Sequence, residues 1–193
     1  MNRATLKQLS KEQIKGNIGI LFLITVVVGL IGGALSMIPV VGTIATLLIT
    51  PALELGMISI YMNLTFGIKP QVGDLFSQLS NFWPAFKTYF LTGLYVALWT
   101  LLLYIPGIIK GFAYSQTMFI LYENPTMGAN EAITRSREMM DGHKMEYFLL
   151  SLSFIGWIIL GMFTFGLLYI WLIPYMQTTM TNYYKYLKGE IVA

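Results

Sequence analysis

Two ionisable side chains stand inside stretches that are otherwise apolar. Glu54 follows Pro51 by three residues and Lys110 follows Pro106 by four. A charge near the centre of a bilayer costs roughly 2.5 to 3.5 kcal/mol on insertion scales, so such groups normally face a counter-charge or a wet cavity. The two positions occupy similar places after a proline, and a third such place follows Pro174. The spacing predicts a polar cluster of Glu54, Lys110, Tyr114, Ser115, Gln177 and Thr178 on the axis of a helical bundle. In a second reading, Glu54 and Lys110 lie near a membrane border and reach water along their own stems.

Catalytic patterns are scarce. His143 is the only histidine, which excludes a two-histidine metal site such as H-E-x-x-H. Asp141-Gly142-His143-Lys144 reads as the end of a helix, with Gly142 as its cap and cations near its negative pole. Cysteine is absent, so there is no thiolate nucleophile, disulfide or cysteine metal site. Neither G-x-x-x-x-G-K-[ST] nor G-x-G-x-x-G occurs, which removes the phosphate-cradling loops of nucleotide-driven machines. The expectation is a protein without catalytic residues, metal or cofactor. Its basic residues are dispersed among apolar runs, so nucleic acid is not an expected partner.

The elements that position Glu54 and Lys110 follow from hydrophobic patterning. The chain has 193 residues, 56% of them hydrophobic and 11% charged, with a mean hydropathy of +0.67. That is more apolar surface than a soluble domain of this size hides, and it lies in long runs. From Ile18 to Ile38 no side chain is charged, which supplies the ~20 apolar helical residues needed to cross hydrocarbon. The cationic flank before it resembles a signal-peptide start, but the apolar run is too long and others follow, so a retained first helix is expected.

The predicted fold is all-α: a polytopic membrane bundle of six spans in three hairpins, with amphipathic interfacial helices between them. One membrane domain covers residues 1–193. An interfacial helix over 1–16 carries four cations suited to an anionic inner leaflet. Hairpins occupy 18–64, 86–122 and 147–187. Surface helices occupy 71–83 and 128–141, where apolar residues recur at three and four positions. Their contact faces are expected at Phe76 and Leu79, and at Ile133, Ser136 and Met140. Tryptophan and tyrosine gather near the predicted borders as interfacial belts.

Charge orients the bundle. Eleven of the twelve basic residues fall on one side of the six-span reading, leaving only Lys110 elsewhere, which predicts cytoplasmic termini in a plasma membrane. Pro51, Gly56, Pro70 and Gly73 recur 55 residues later as Pro106, Gly111, Pro125 and Gly128, which suggests an internal repeat with a partial third copy from Pro174. Gly29/Gly33 and Gly107/Gly111 satisfy G-x-x-x-G, a spacing for close helix contact within the bundle or between copies.

Several ordered motifs match a known pattern: Tyr104-Ile-Pro-Gly-Ile-Ile-Lys110, Tyr114-Ser115, Asn124-Pro125, Glu131-Ala132 to Ser136, Met140-Asp-Gly-His-Lys144, Leu152 to Trp157, and Leu172-Ile-Pro-Tyr175. Together they resemble the uncharacterised integral membrane proteins of domain-of-unknown-function family 975, found mostly in Gram-positive bacteria. The resemblance spans nearly the whole chain and implies a polytopic plasma-membrane protein, but carries no catalytic residues with it. The stretch from Glu131 to Lys144 is also similar to the membrane-domain segment of some glycerophosphodiester phosphodiesterases, whose catalytic domain is a separate soluble part.

Two classes of function fit. The favoured one is a non-catalytic membrane scaffold, accessory or protective factor working through lipid, a membrane-protein partner or a second copy of itself. The alternative is a transporter of a small solute, ion or lipid, built on the polar cluster.

Overall fold

The computed structural model describes residues 2–192; Met1 and Ala193, the outermost residues of the expected domain, lie outside the described residues. The described residues form ten α-helices and no strand. Helix α1 (Arg3–Ile14) opens on Asn2, whose side chain accepts from the Ala4 backbone N–H at 3.0 Å and so satisfies one of the unpaired donors of the first turn. Leu6, Ser10 and Ile14, four residues apart, form its buried stripe.

Three short connections join consecutive helices. Met37-Ile38 joins α2 (Ile18–Ser36) to α3 (Pro39–Thr65), with Pro39 at the first helical position, where a missing N–H costs no bond. Leu103 alone joins α4 (Phe82–Leu102) to α5 (Tyr104–Ala113). Later α8 (Lys144–Leu152) and α9 (Ile155–Phe163) lead through residues 164–168 to α10 (Tyr169–Leu187). A Cβ at Gly42 would overlap the Leu35 carbonyl, and one at Gly107 would overlap Thr100, so two of the turns close only because these residues have no side chain.

Between the turns lie α6 (Thr117–Glu123) and α7 (Ala129–Met139). Helix α7 matches the predicted 128–141 segment, and Gly142 takes the left-handed conformation (φ +76°) expected after a helix end. The stretch 71–83 differs from its expectation of one amphipathic helix. It forms two 3-10 turns, Val72–Phe76 and Leu79–Asn81, and the α-helix starts only at Phe82. The Asp74 carboxylate accepts from the Gln71 N–H at 2.9 Å and the Ser77 hydroxyl donates to the Asp74 carbonyl at 2.7 Å, local bonds that compete with a continuous helix. Leu75 is fully buried and its carbonyl rests on Gly56 of α3.

The core gathers at one end of the bundle, where α1, the second half of α3 and α10 meet around Leu6, Leu21, Ile60, Leu75, Phe154 and Tyr183. The three connections are the reverse: Met37 is 84% exposed, Leu103 66% and Phe165 99%. Apolar surface on that scale is what lipid covers. Four segments are long and apolar enough to cross a membrane: Ile18–Ser36, Pro39–Thr65, Val72–Leu102 and Lys144–Phe163. The remaining two limbs of the six-span expectation fall short for visible reasons. The limb after Leu103 is broken between Ala113 and Thr117, and α10 carries Gln177, three threonines, Asn182 and Lys185.

Candidate functional site

Helix α3 carries Thr43, Thr46, Thr50 and Glu54 at spacings of three, four and four, which places them on one face. Pro51 lies in the same helix, and having no N–H it cannot donate to the Leu47 carbonyl one turn earlier. The stripe faces cavities. One, of about 750 Å³, is walled by Glu54 with Tyr89, Thr92, Tyr114, Ser115 and Thr117 among apolar neighbours. A second, of about 460 Å³, has Glu54 in its wall with Thr25, Thr46, Thr50, Gln177 and Thr181. A third, of about 440 Å³, shares Thr46 and Thr50 with the second and Tyr89 with the first, and reaches Ser36 and Thr43 beside the α2–α3 turn. Tyr114 also lines a fourth, of about 360 Å³, together with Tyr95, Asn130, Thr134 and Arg137.

Glu54 is thus the carboxylate that the first two of these cavities share. It is partly exposed to them and makes no hydrogen bond or ion pair among the described residues. Tyr89 is near enough to feel its charge. In the same wall the Thr92 hydroxyl is buried without a hydrogen-bond partner. Few groups in these walls are ionisable, so whatever enters meets hydroxyls, the Gln177 amide, aromatic rings, apolar side chains and one carboxylate.

Four of the six residues of the predicted cluster meet here: Tyr114 and Ser115 line one cavity with Glu54, and Gln177 lines the other. Thr178 does not join them, because its hydroxyl donates to the Pro174 carbonyl at 2.8 Å inside α10. Lys110 does not either. Its ammonium lies 4.8 Å from the Trp99 ring centre, and the residue lines a separate cavity of about 300 Å³ with Arg137, Glu138, Asp141 and Lys144. Helix register explains the separation. Glu54 is fifteen residues past the start of α3 and Lys110 only six past the start of α5, or ~22 Å against ~9 Å along the axes. Pro51 lies deep within α3 while Pro106 is in the first turn of α5, so the sequence offset of 55 does not map one helix position onto the other.

The expected surface faces divide as well. Phe76 and Leu79 are exposed. Ile133, Ser136 and Met140 are buried: the Ser136 hydroxyl donates to the Ala113 carbonyl at 2.8 Å and accepts from the Gln116 N–H at 3.2 Å. The apolar stripe of α7 is therefore spent inside the molecule, anchoring the chain break that presents Tyr114 and Ser115.

DUF975, a family of proteins of unknown function, matches residues 1–109 and again residues 100–190. The chain belongs to this DUF975 family. No curated protein and no solved structure matches it. The family carries no activity to transfer, so function rests on the site.

Sequence reasoning missed Thr46, Thr50, Tyr89, Thr92 and Thr117. Thr46 and Thr50 were findable, since Thr-x3-Thr-x3-Glu is a polar helical stripe in an apolar run. It also missed a network at the buried end. The Tyr184 hydroxyl donates to Glu123 at 2.7 Å, Lys188 pairs with Glu123 at 2.7 Å and with Glu190, and Asn182 bonds to Ser10 and Gln13. These contacts hold α10 to α6 and α1 and so fix Gln177 and Thr181 in the cavity wall.

Proposed function

We propose that this chain is a small polytopic membrane transporter that binds a cationic solute, or a proton, at Glu54. The observation that carries the reading is the position of that carboxylate: unpaired among the described residues, in an apolar helix, on the wall common to cavities of about 750 and 460 Å³. A lone intramembrane carboxylate is retained against its cost when a ligand completes it. Cavities that share wall residues on either side of it, toward Ser36 and Thr43 and toward Asn130 and Arg137, supply a route. In this reading the bundle has six spans in three hairpins in the plasma membrane, both termini are cytoplasmic, the chain works without catalysis, and the protein stands in an anionic inner leaflet.

Flux tests it. Proteoliposomes loaded with a pH-sensitive dye would be challenged with monovalent cations and with aliphatic amines. Transport should exceed that of empty liposomes and disappear in Glu54→Gln. Equal flux in the variant, or none in the native protein, removes the proposal. The topology is tested on the cysteine-free background. Cysteines belong at Leu103 and Phe165, which are exposed, and not at Gly107, where a side chain would overlap Thr100. Impermeant reagent should reach 103 and 165 from outside, but not Asn2 or Asn130.

A scaffold reading keeps one specific support: Phe76, Leu79 and Trp83 remain exposed and unburied by the chain itself. A partner held there would be lost in Phe76→Glu, with flux unchanged.

A further inference from the structure

Lys110 sits in a helix whose other residues are Tyr, Ile, Pro, Gly, Phe and Ala, yet it has no ion pair among the described residues. Arg137 of α7 likewise makes neither an ion pair nor a hydrogen bond there. Both line the 300 Å³ cavity at the corner of α5, α7 and α8, and Lys144 at the start of α8 completes it. Two carboxylates share the wall. Asp141 takes Lys144 at 3.2 Å, which leaves two of that ammonium's three N–H donors available, while exposed Glu138 adds the second negative charge. Three cations from three separate helices therefore face two acids, an excess of one positive charge, and Lys110 and Arg137 make no ion pair among the described residues.

The surroundings say what kind of anion meets them. Ile108, Ile109, Met145, Phe148 and Leu149 are exposed around this corner, and Trp99 lies against the Lys110 ammonium. A cationic cavity edged by bare apolar side chains, with a tryptophan at the border, has the layout of a headgroup site at a membrane surface: charge for the head and hydrocarbon contact for the chains. A guanidinium forks onto the two non-bridging oxygens of a phosphodiester, whose single negative charge matches the excess of one cation in the cavity.

We propose that Lys110, Arg137 and Lys144 form a binding site for the phosphate of an anionic phospholipid headgroup. The site is separate from Glu54 and stands whether or not that residue carries a solute.

The purified full chain in neutral detergent would be titrated with phosphatidylglycerol, phosphatidylcholine and inorganic phosphate, reading thermal stability and retained lipid by native mass spectrometry. Phosphatidylglycerol should stay bound and raise the melting temperature, while phosphatidylcholine should do neither. The double variant Lys110→Gln/Arg137→Gln should weaken retention at least tenfold. Arg135→Gln, which removes another exposed cation of α7, one paired with Glu131 at 2.9 Å, should leave retention unchanged. Equal loss in the Arg135 variant would reduce the effect to general surface charge and overturn the site. Protection by millimolar inorganic phosphate matching that of the lipid would overturn the lipid assignment in favour of a soluble phosphate compound. Melting of each variant without lipid shows that loss of retention is not loss of fold.

Discussion

The side-chain amide of Asn182 donates to the Ser10 hydroxyl oxygen at 2.9 Å and to the Gln13 carbonyl oxygen at 2.7 Å, tying the last helix to the first across 172 residues of chain. The contact is buried and α1 has no covalent brace on this side, so these bonds hold the amphipathic helix against α10. Removing them while leaving their partners enclosed costs about 1–3 kcal/mol. Asn182→Leu should therefore expose Lys11 and Lys15 to trypsin in detergent at concentrations that leave the native protein intact. Unchanged resistance would mean that α1 is held by its apolar stripe of Leu6 and Ile14 together with the Arg3 and Lys7 side chains, which donate to the Leu149 and Ser153 carbonyls.

Gly56 and Gly111 are matched by the sequence offset of 55 and part company in the structure. A Cβ on Gly56 would overlap the Leu75 carbonyl, whereas one on Gly111 meets nothing within 4 Å. Gly56→Ala should cost about 1–3 kcal/mol through forced displacement of the 3-10 turn. Gly111→Ala should be neutral or gain up to about 1 kcal/mol from lost backbone entropy in the unfolded chain. Melting curves of the two variants decide it. Equal destabilisation would mean that the two glycines do the same job.

Lys188 joins the chain end to α6 through Glu123 and to Glu190. Burial lowers its proton affinity, but hydrogen bonds and charge from Glu123 and Glu190 outweigh that and hold its pKa above the ordinary lysine value of 10.5. A lysine whose folded value is raised adds stability that is complete below the unfolded value and is lost as pH climbs through the folded one. Lys188→Met should lower stability by about 0.5–1 kcal/mol at pH 8, a modest figure because the pair is partly solvated. The gap to the native protein should then narrow as pH rises past 10.5. A gap that persists undiminished in alkali would show the loss to be one of packing.

Particular residues show what was legible beforehand and what was not. The 3.6-residue period placed α1 and α7 closely, and the capping chemistry of Gly142 is local enough to read from neighbours, whereas the cap at Asn2 was missed. The 71–83 segment misled because Asp74 and Ser77 satisfy backbone groups within three residues, a local preference that overrides amphipathic spacing. Burial of Ile133, Ser136 and Met140 was invisible for another reason. An apolar stripe on a helix records that it faces something apolar, and the same stripe serves lipid, a partner or the chain's own core. Glu54 was legible as a site because a carboxylate in an apolar run is costly anywhere. Its separation from Lys110 was not, because it depends on where α3 and α5 begin, and proline marks a helix start at Pro39 but an interior at Pro51. Tyr89 and Thr92 entered the wall through the packing of α4 on α3, a contact between residues far apart in sequence.

Glu54 itself separates stability from function. No cation or donor among the described residues compensates it, so the folded protein bears part of the roughly 2.5 to 3.5 kcal/mol that such a group costs in a membrane, the exposed part being relieved by the cavity. Replacing it by a side chain of similar reach and no polarity should relieve that cost. Glu54→Leu is expected to gain about 1 kcal/mol, or ~2–4 °C in melting temperature for a chain of this size, while solute flux is lost. A group kept for folding behaves in the opposite way: its removal lowers the melting temperature, and any loss of flux follows from unfolding. Melting in detergent and flux in liposomes, measured on the same preparation, tell these apart. A fall in melting temperature would make Glu54 a structural residue and return the cavities to unoccupied packing space between helices.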